Sequence, residues 1–256
     1  MDYRLNEGAG GGGARMGLIV LATDETLEFE ARRMLGARDV QLLHARILVA
    51  AAITPETLAT MDAAMPVAAA LLPEGLDVIG YACTSGATVI GQARVAAQVR
   101  SVHPGAAVTD PISAVIAALA HLGAARIGMV TPYVPSVTAP MRALLAANGI
   151  ETLHEISFAE GDDRRVARID PAATRAALIA AAQVPGTEAL FASCTNLQTF
   201  GIIDEVEAET GLPVVTSNQA LLWHMLTLAD AGKKVGEKAG KKAGAKAWGP
   251  GRLFAV

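Results

Sequence analysis

One motif occurs twice at a fixed separation, and the repetition points to a fold made of two similar halves. The stretch VIGYACTSGATVIG (78–91) passes from apolar residues into Cys83, Thr84 and Ser85 and then into a helical pattern. ALFASCTNL (189–197) passes in the same way from apolar residues into Cys194, Thr195 and Asn196. Cys83 and Cys194, 111 positions apart, are the only two cysteines among 256 residues. The same offset relates Ala14-Arg15-Met16-Gly17 to Ala125-Arg126-Ile127-Gly128. Each half therefore predicts a buried strand that ends in a thiol, with small polar residues opening the next helix.

Strand and helix patterns alternate along both halves. The first half predicts strands at 16–22, 40–48, 77–82 and 106–108, with helices at 27–35, 54–72 and 85–102 between them. The second predicts strands at 126–131, 150–158, 188–193 and 212–216. Its helices are expected at 141–149 after a proline-punctuated loop, from Pro171 after a polar loop (160–170), at 197–210 and at 218–230. Such alternation predicts parallel sheets. The fold class is α/β: two pseudosymmetric doubly wound halves, each with a parallel four-stranded sheet, facing a shared cleft. The halves are expected at 15–116, completed by the C-terminal helix 218–231, and at 117–217. Residues 1–14, which end in a glycine run, and 232–256 predict mobile tails. In the second tail, residues 233–248 hold six of the 21 basic residues, which reads as a solvated segment or as a contact surface for an acidic partner.

Composition narrows the function classes. With 52% hydrophobic and 18% charged residues there is ample material for a packed core, and aromatics at 4% imply helices that pack closely through small side chains. A net charge of −4 gives no electrostatic footprint for nucleic acid. The apolar runs at 66–72 and 112–120 fall short of the roughly 18 residues that a membrane span needs. Two cysteines do not make a disulfide framework, and a cytoplasmic protein is expected. The histidines show no metal-ligand spacing, and no phosphate-binding glycine loop follows a strand.

In a parallel sheet, ligands bind beyond the strand ends, where the next helix points free N–H groups at the crevice. Thiols at two such positions would face one another across a small substrate. One can remove a proton while the other supplies one, or one can add to a double bond while the other protonates the product. That chemistry asks for lowered thiol pKa values, which a helix N-terminus can provide. Either cysteine alone reads more readily as a passive core residue, and the matched placement of the pair is what favours a functional role.

The ACTSG and SCTN motifs at 82–86 and 193–196, with TPY (131–133) and VARI (166–169), resemble the aspartate/glutamate racemase superfamily. Within it the chain is most similar to the branch of maleate cis-trans isomerase, arylmalonate decarboxylase and an ectoine-utilisation protein. The resemblance covers about 15–230. It implies an isomerase or racemase that needs no cofactor, acting on a small-molecule carboxylate, with no nucleic-acid or membrane partner and with a homo-oligomer left open. It makes Cys83 the nucleophile and Cys194 the proton donor or acceptor. Thr84, Ser85, Thr195, Asn196 and Tyr133 would bind the carboxylate. The decarboxylase keeps the second cysteine alone, so Cys83 argues against that activity. The alternatives are a non-catalytic protein that binds or senses a small acid, or a decarboxylase of the same superfamily.

Two positions depart from the isomerase pattern, which has asparagines at both. Asp24 reads locally as a helix cap, and Asp163, beside Asp162, Arg164 and Arg165, as part of a solvated loop. Placed in the cleft instead, they would oppose a dianion and favour a substrate bearing an ammonium group.

Overall fold

The computed structural model describes Tyr3 and residues 13–36, 38–233 and 249–255. The first half comprises β1 (Ala14–Leu21), α1 (Leu27–Leu35), β2 (Val40–Ile47), α2 (Pro55–Ala59), α3 (Met61–Ala69), β3 (Val78–Ala82), α4 (Thr84–Ile90), α5 (Gln92–Arg100), β4 (Ala107–Thr109) and α6 (Pro111–Leu122). The second comprises β5 (Arg126–Thr131), α7 (Pro135–Ala147), β6 (Glu151–Ser157), α8 (Asp163–Val166), α9 (Pro171–Ala182), β7 (Ala189–Ala192), α10 (Ile203–Thr210), β8 (Val214–Thr216) and α11 (Ser217–Lys233). Two parallel four-stranded sheets result, ordered β2-β1-β3-β4 and β6-β5-β7-β8, which is one topology used twice. The central strands are apolar on both faces because helices cover both faces: Met16, Leu18, Ile19 and Val20 of β1 are fully buried, as are Ile127, Met129 and Val130 of β5. The repeat extends to backbone packing. A Cβ on Gly17 would lie 2.7 Å from Leu76 Cδ1, and one on Gly128 would lie 3.0 Å from Ala181 Cβ, so both glycines let a neighbour approach closely.

Several helices differ from the sequence expectation for identifiable reasons. The helix expected at 85–102 is broken by Gly91, whose φ of 90° ends α4 and opens α5. The helix expected at 54–72 is two: the Thr54/Thr57 capping box starts α2, and a new start at Thr60 gives α3. In α7, Pro135 occupies the first turn, where a missing N–H does no harm, so the helix begins six residues before 141. The α10 helix starts only at Ile203, because the Glu30 carboxylate holds the Thr199 and Phe200 amides in a loop. The apolar run at 112–120 is a helix, α6, capped by Asp110 Oδ1 accepting from Ser113 N at 2.9 Å and stopped by left-handed Gly123.

The last helix of each half crosses over. Helix α11 lies on β1, β3 and β4 of the first sheet, while α6 packs against α11 and reaches β8. Residues 249–255, expected within a tail, are docked: Gly251 N–H donates to Asp204 Oδ1 at 2.7 Å, Arg252 N–H to Glu207 Oε2 at 2.9 Å, and Leu253 is buried. The Lys-rich stretch beyond Lys233 and the glycine run at 8–12 lie outside the described residues. Among the described residues no helix is long and apolar enough to cross a membrane.

Candidate functional site

The strand-end loops of the two halves meet. Thr195 Oγ1 donates to Ala82 O (3.4 Å), Thr84 Oγ1 to Ser217 Oγ (2.9 Å), and Glu25 N to Asn196 Oδ1 (2.9 Å). Between them is a small, tightly closed cavity. Cys83 and Ser85 enter it from the start of α4, Cys194 and Thr195 from the end of β7, and Tyr133 from the end of β5. Thr23 and Asp163 complete the polar lining. Larger hollows near Arg142 and near His103 contain neither thiol and no comparable set of reactive groups.

An apolar roof closes the cavity. Val49, Ala50, Ala52 and Ile53 follow β2 and cross to the other half, where Ile53 N–H donates to Gly161 O and Asp163 N–H donates to Ala51 O, both at 2.8 Å. Roof and second half are thus joined by a short antiparallel bridge at Ala52 and Asp162.

Each cysteine is held by its backbone setting. Cys83 is the N-cap of α4, and its Sγ accepts from Gly86 N–H at 3.2 Å, with Ser85 Oγ at 3.7 Å. Cys194 has a φ of 144°, a sparsely populated conformation for a non-glycine residue, with its N–H on Ser217 Oγ at 3.0 Å and its Sγ facing Asn196 N at 3.4 Å. The expected lowering of the thiol pKa values is not found in this closed cavity. Burial pushes Cys83 up to about 12, outweighing the Gly86 N–H and Ser85 that favour the thiolate. Burial also pushes Cys194 well up, and the nearby Asp163 carboxylate adds to the effect. Burial raises the Tyr133 phenol, next to both sulfurs.

The two aspartates have different surroundings. Asp163 lines the cavity; its Oδ2 accepts from Thr23 Oγ1 at 2.5 Å and Asn196 Nδ2 at 3.3 Å, and burial raises its pKa. Asp24 stands behind the lining as a cap of α1: Oδ1 accepts from Thr26 N and Leu27 N, both at 2.9 Å. Its Oδ2 lies beside Thr195 without a hydrogen bond of good geometry, and burial lifts the carboxyl to about 7. Of the other residues singled out in the sequence, Cys83, Ser85, Tyr133, Cys194 and Thr195 share the cavity, whereas Thr84 and Asn196 brace it from behind. Thr23, Ser217 and the roof were not singled out. Ser217 sits in Thr216-Ser217-Asn218, small polar residues after an apolar strand, which is the same signal that marked the two cysteine loops.

A family model described as arylmalonate decarboxylase matches residues 16–241. The maleate isomerase of Pseudomonas putida is 29% identical over 230 residues, 84% of this chain and 92% of that protein. The arylmalonate decarboxylase of Bordetella bronchiseptica is 31% identical over 127 residues, 49% of this chain and 53% of that protein. Among solved structures, a cysteine-to-alanine variant of the maleate isomerase Iso from Pseudomonas putida, with maleate, matches with a TM-score of 0.77 at 27% identity, over 85% of this chain and 92% of that one.

Proposed function

Since the chain belongs to the arylmalonate decarboxylase family, within the Asp/Glu racemase-like superfamily, we propose that it is an isomerase of a small carboxylate, working through Cys83 and Cys194 without a cofactor. The observation that carries this reading is a pair of thiols, one from each repeat, lining one small closed cavity. The relatives that align over most of the chain, maleate isomerases, support it.

Both available routes start from one thiolate and one thiol. With an unsaturated diacid, the Cys83 thiolate adds to one alkene carbon and the neighbouring carbon takes the Cys194 proton. Rotation about the new single bond follows, and reversal of both steps releases the trans acid and restores both sulfurs. With an amino acid, one thiolate removes the α-proton and the other thiol protonates the opposite face. Ser85, Thr195 and Tyr133 are the donors available to the substrate carboxylate, and they act hardest on the enediolate, where negative charge develops. Burial holds both thiols above their ordinary range, so the mechanism requires a state in which one of them is less buried than here.

The finer reading concerns charge. Among the described residues, the cavity lining contains Asp163 and no Lys, Arg or His. An ammonium group set against the Asp163 carboxylate gains about 1 kcal/mol at 4 Å in water and about 4 kcal/mol at an effective dielectric of 20, and a second substrate carboxylate there loses as much. The reading is therefore a racemase-like enzyme for an amino acid or derivative, in preference to a maleate isomerase. Incubation in deuterated water with amino acids and, separately, with maleate tests it. Deuterium at the α-carbon is the expected result; efficient conversion of maleate to fumarate refutes the charge argument, and tight binding with neither reaction refutes catalysis.

A further inference from the structure

We propose that Ser217, at the junction of β8 and α11, is a positioning residue that sets the two thiols in register with each other. The proposal rests on the two-thiol reading above, and its test separates the two.

Ser217 is fully buried and is not part of the cavity lining, so it does not meet the substrate. Its Oγ accepts two hydrogen bonds, one from each repeat. Thr84, which follows Cys83, donates its hydroxyl at 2.9 Å, and Cys194 donates its own backbone N–H at 3.0 Å. A single oxygen is thus a common reference point for the two cysteine loops. The bond to Cys194 N–H also acts where the backbone most needs support, at a φ of 144° that persists only when its surroundings over-determine it.

The next residue extends the clamp along the second loop. Asn218 Nδ2 donates to Thr195 O at 2.8 Å and to Glu30 Oε2 at 2.7 Å, and Glu30 Oε1 accepts from Thr199 N and Phe200 N at 2.7 and 2.9 Å. The loop is therefore held at four backbone positions between Cys194 and Phe200. Ser217 and Thr195, whose Oγ1 donates to Ala82 O at 3.4 Å, are the members of this network that reach across to the Cys83 loop, and Ser217 alone of the two also holds the Cys194 N–H.

Removing Oγ leaves the Cys194 N–H buried without a partner and releases Thr84, so both sulfurs move although neither cysteine has changed. The experiment compares Ser217→Ala with wild type by iodoacetamide labelling of the folded protein, reading each cysteine separately by peptide mass spectrometry. Labelling of Cys194 is expected to accelerate at least tenfold and that of Cys83 at least threefold, with far-UV circular dichroism unchanged. Leu178→Ala, which cuts a cavity under the second sheet, is the control for destabilisation alone and is expected to leave the ratio of the two rates as in wild type. On any substrate that is turned over, kcat should fall tenfold or more with KM within twofold. Should Ser217→Ala fail to fold, Thr84→Val cuts the same link from its other end and is expected to raise Cys83 labelling threefold. Labelling of both cysteines within twofold of wild type in a folded variant overturns the proposal, as does a raised KM with kcat unchanged. A wild-type protein that turns nothing over defeats the proposed function and leaves the labelling comparison standing.

Discussion

At the scale of single residues, the buried thiols set the first expectation. Serine nearly conserves the volume of cysteine but is a far weaker acid than a thiol of ordinary pKa about 8.5. Cys83→Ser and Cys194→Ser should each lower turnover by at least two orders of magnitude and move the melting temperature by no more than a few degrees; near-full activity in either variant would remove the two-thiol mechanism. For Asp24 the sign can be worked out. The folded state holds its proton to about pH 7, whereas the unfolded chain releases it near 3.8, so the folded state loses stability as pH rises through that window. At about 1.4 kcal/mol per pH unit this amounts to about 4 kcal/mol for Asp24 alone. Asparagine keeps the oxygen that accepts from Thr26 and Leu27 and never carries the charge. Asp24→Asn should therefore melt progressively higher than wild type as pH is raised from 5 to 8. A melting difference that does not change with pH would mean that Asp24 is an ordinary ionised cap.

At the scale of elements, two glycines at the ends of α4 should respond differently to the same substitution. A Cβ on Gly86 would sit 2.5 Å from Tyr81 Oη and 2.9 Å from Cys83 Sγ, so Gly86→Ala pushes on the thiol itself. Overpacking of this kind costs about 1–3 kcal/mol. A Cβ on Gly91 meets nothing within 4 Å, but the φ of 90° makes alanine strained there, at about 1–2 kcal/mol. Similar losses of melting temperature are expected, with activity falling tenfold or more in Gly86→Ala and by less than threefold in Gly91→Ala; equal activities would show that the thiol position is insensitive to its helix. These elements also indicate what was legible in the sequence. The helix at Leu27–Leu35 and the start at Pro171 follow from local pattern and appear where expected, and the strand endings fall within one residue of the expected positions. The two-sheet architecture followed from the repeated motif. The late start of α10 was not legible, because Glu30 lies about 170 positions upstream of the amides it holds. The thiol pKa direction was missed for a related reason: a helix N-terminus is visible in sequence, whereas the roof at residues 49–53 that buries the thiols is fixed by hydrogen bonds to the other half.

At the scale of the whole molecule, the crossing of the last helices makes the halves interdependent. Leu221, Leu222 and Met225 of α11 bury themselves with Met16, Leu18 and Val78 of the first sheet. At about 1.5–3 kcal/mol each, these three side chains approach the 5–15 kcal/mol by which domains of this kind are stable. A fragment of residues 1–123 should show no cooperative thermal transition, and mixing it with residues 124–256 should restore one; a cooperative transition of the first fragment alone would contradict this account. The docked segment at 249–255 has a consequence of its own. Its contacts include backbone hydrogen bonds at Pro250, Gly251 and Arg252, the Arg252 guanidinium on Gly211 O, and the Leu253 and Phe254 side chains. The covalent tether to α11 supplies the effective concentration that keeps the site filled. One proteolytic cut between Lys233 and Gly249 would change only molecularity among the described contacts, after which loss of the released peptide would leave Glu207 with its bond from Val214 N and Gln219 with its bonds to Thr216, but both without their partners at 250–252.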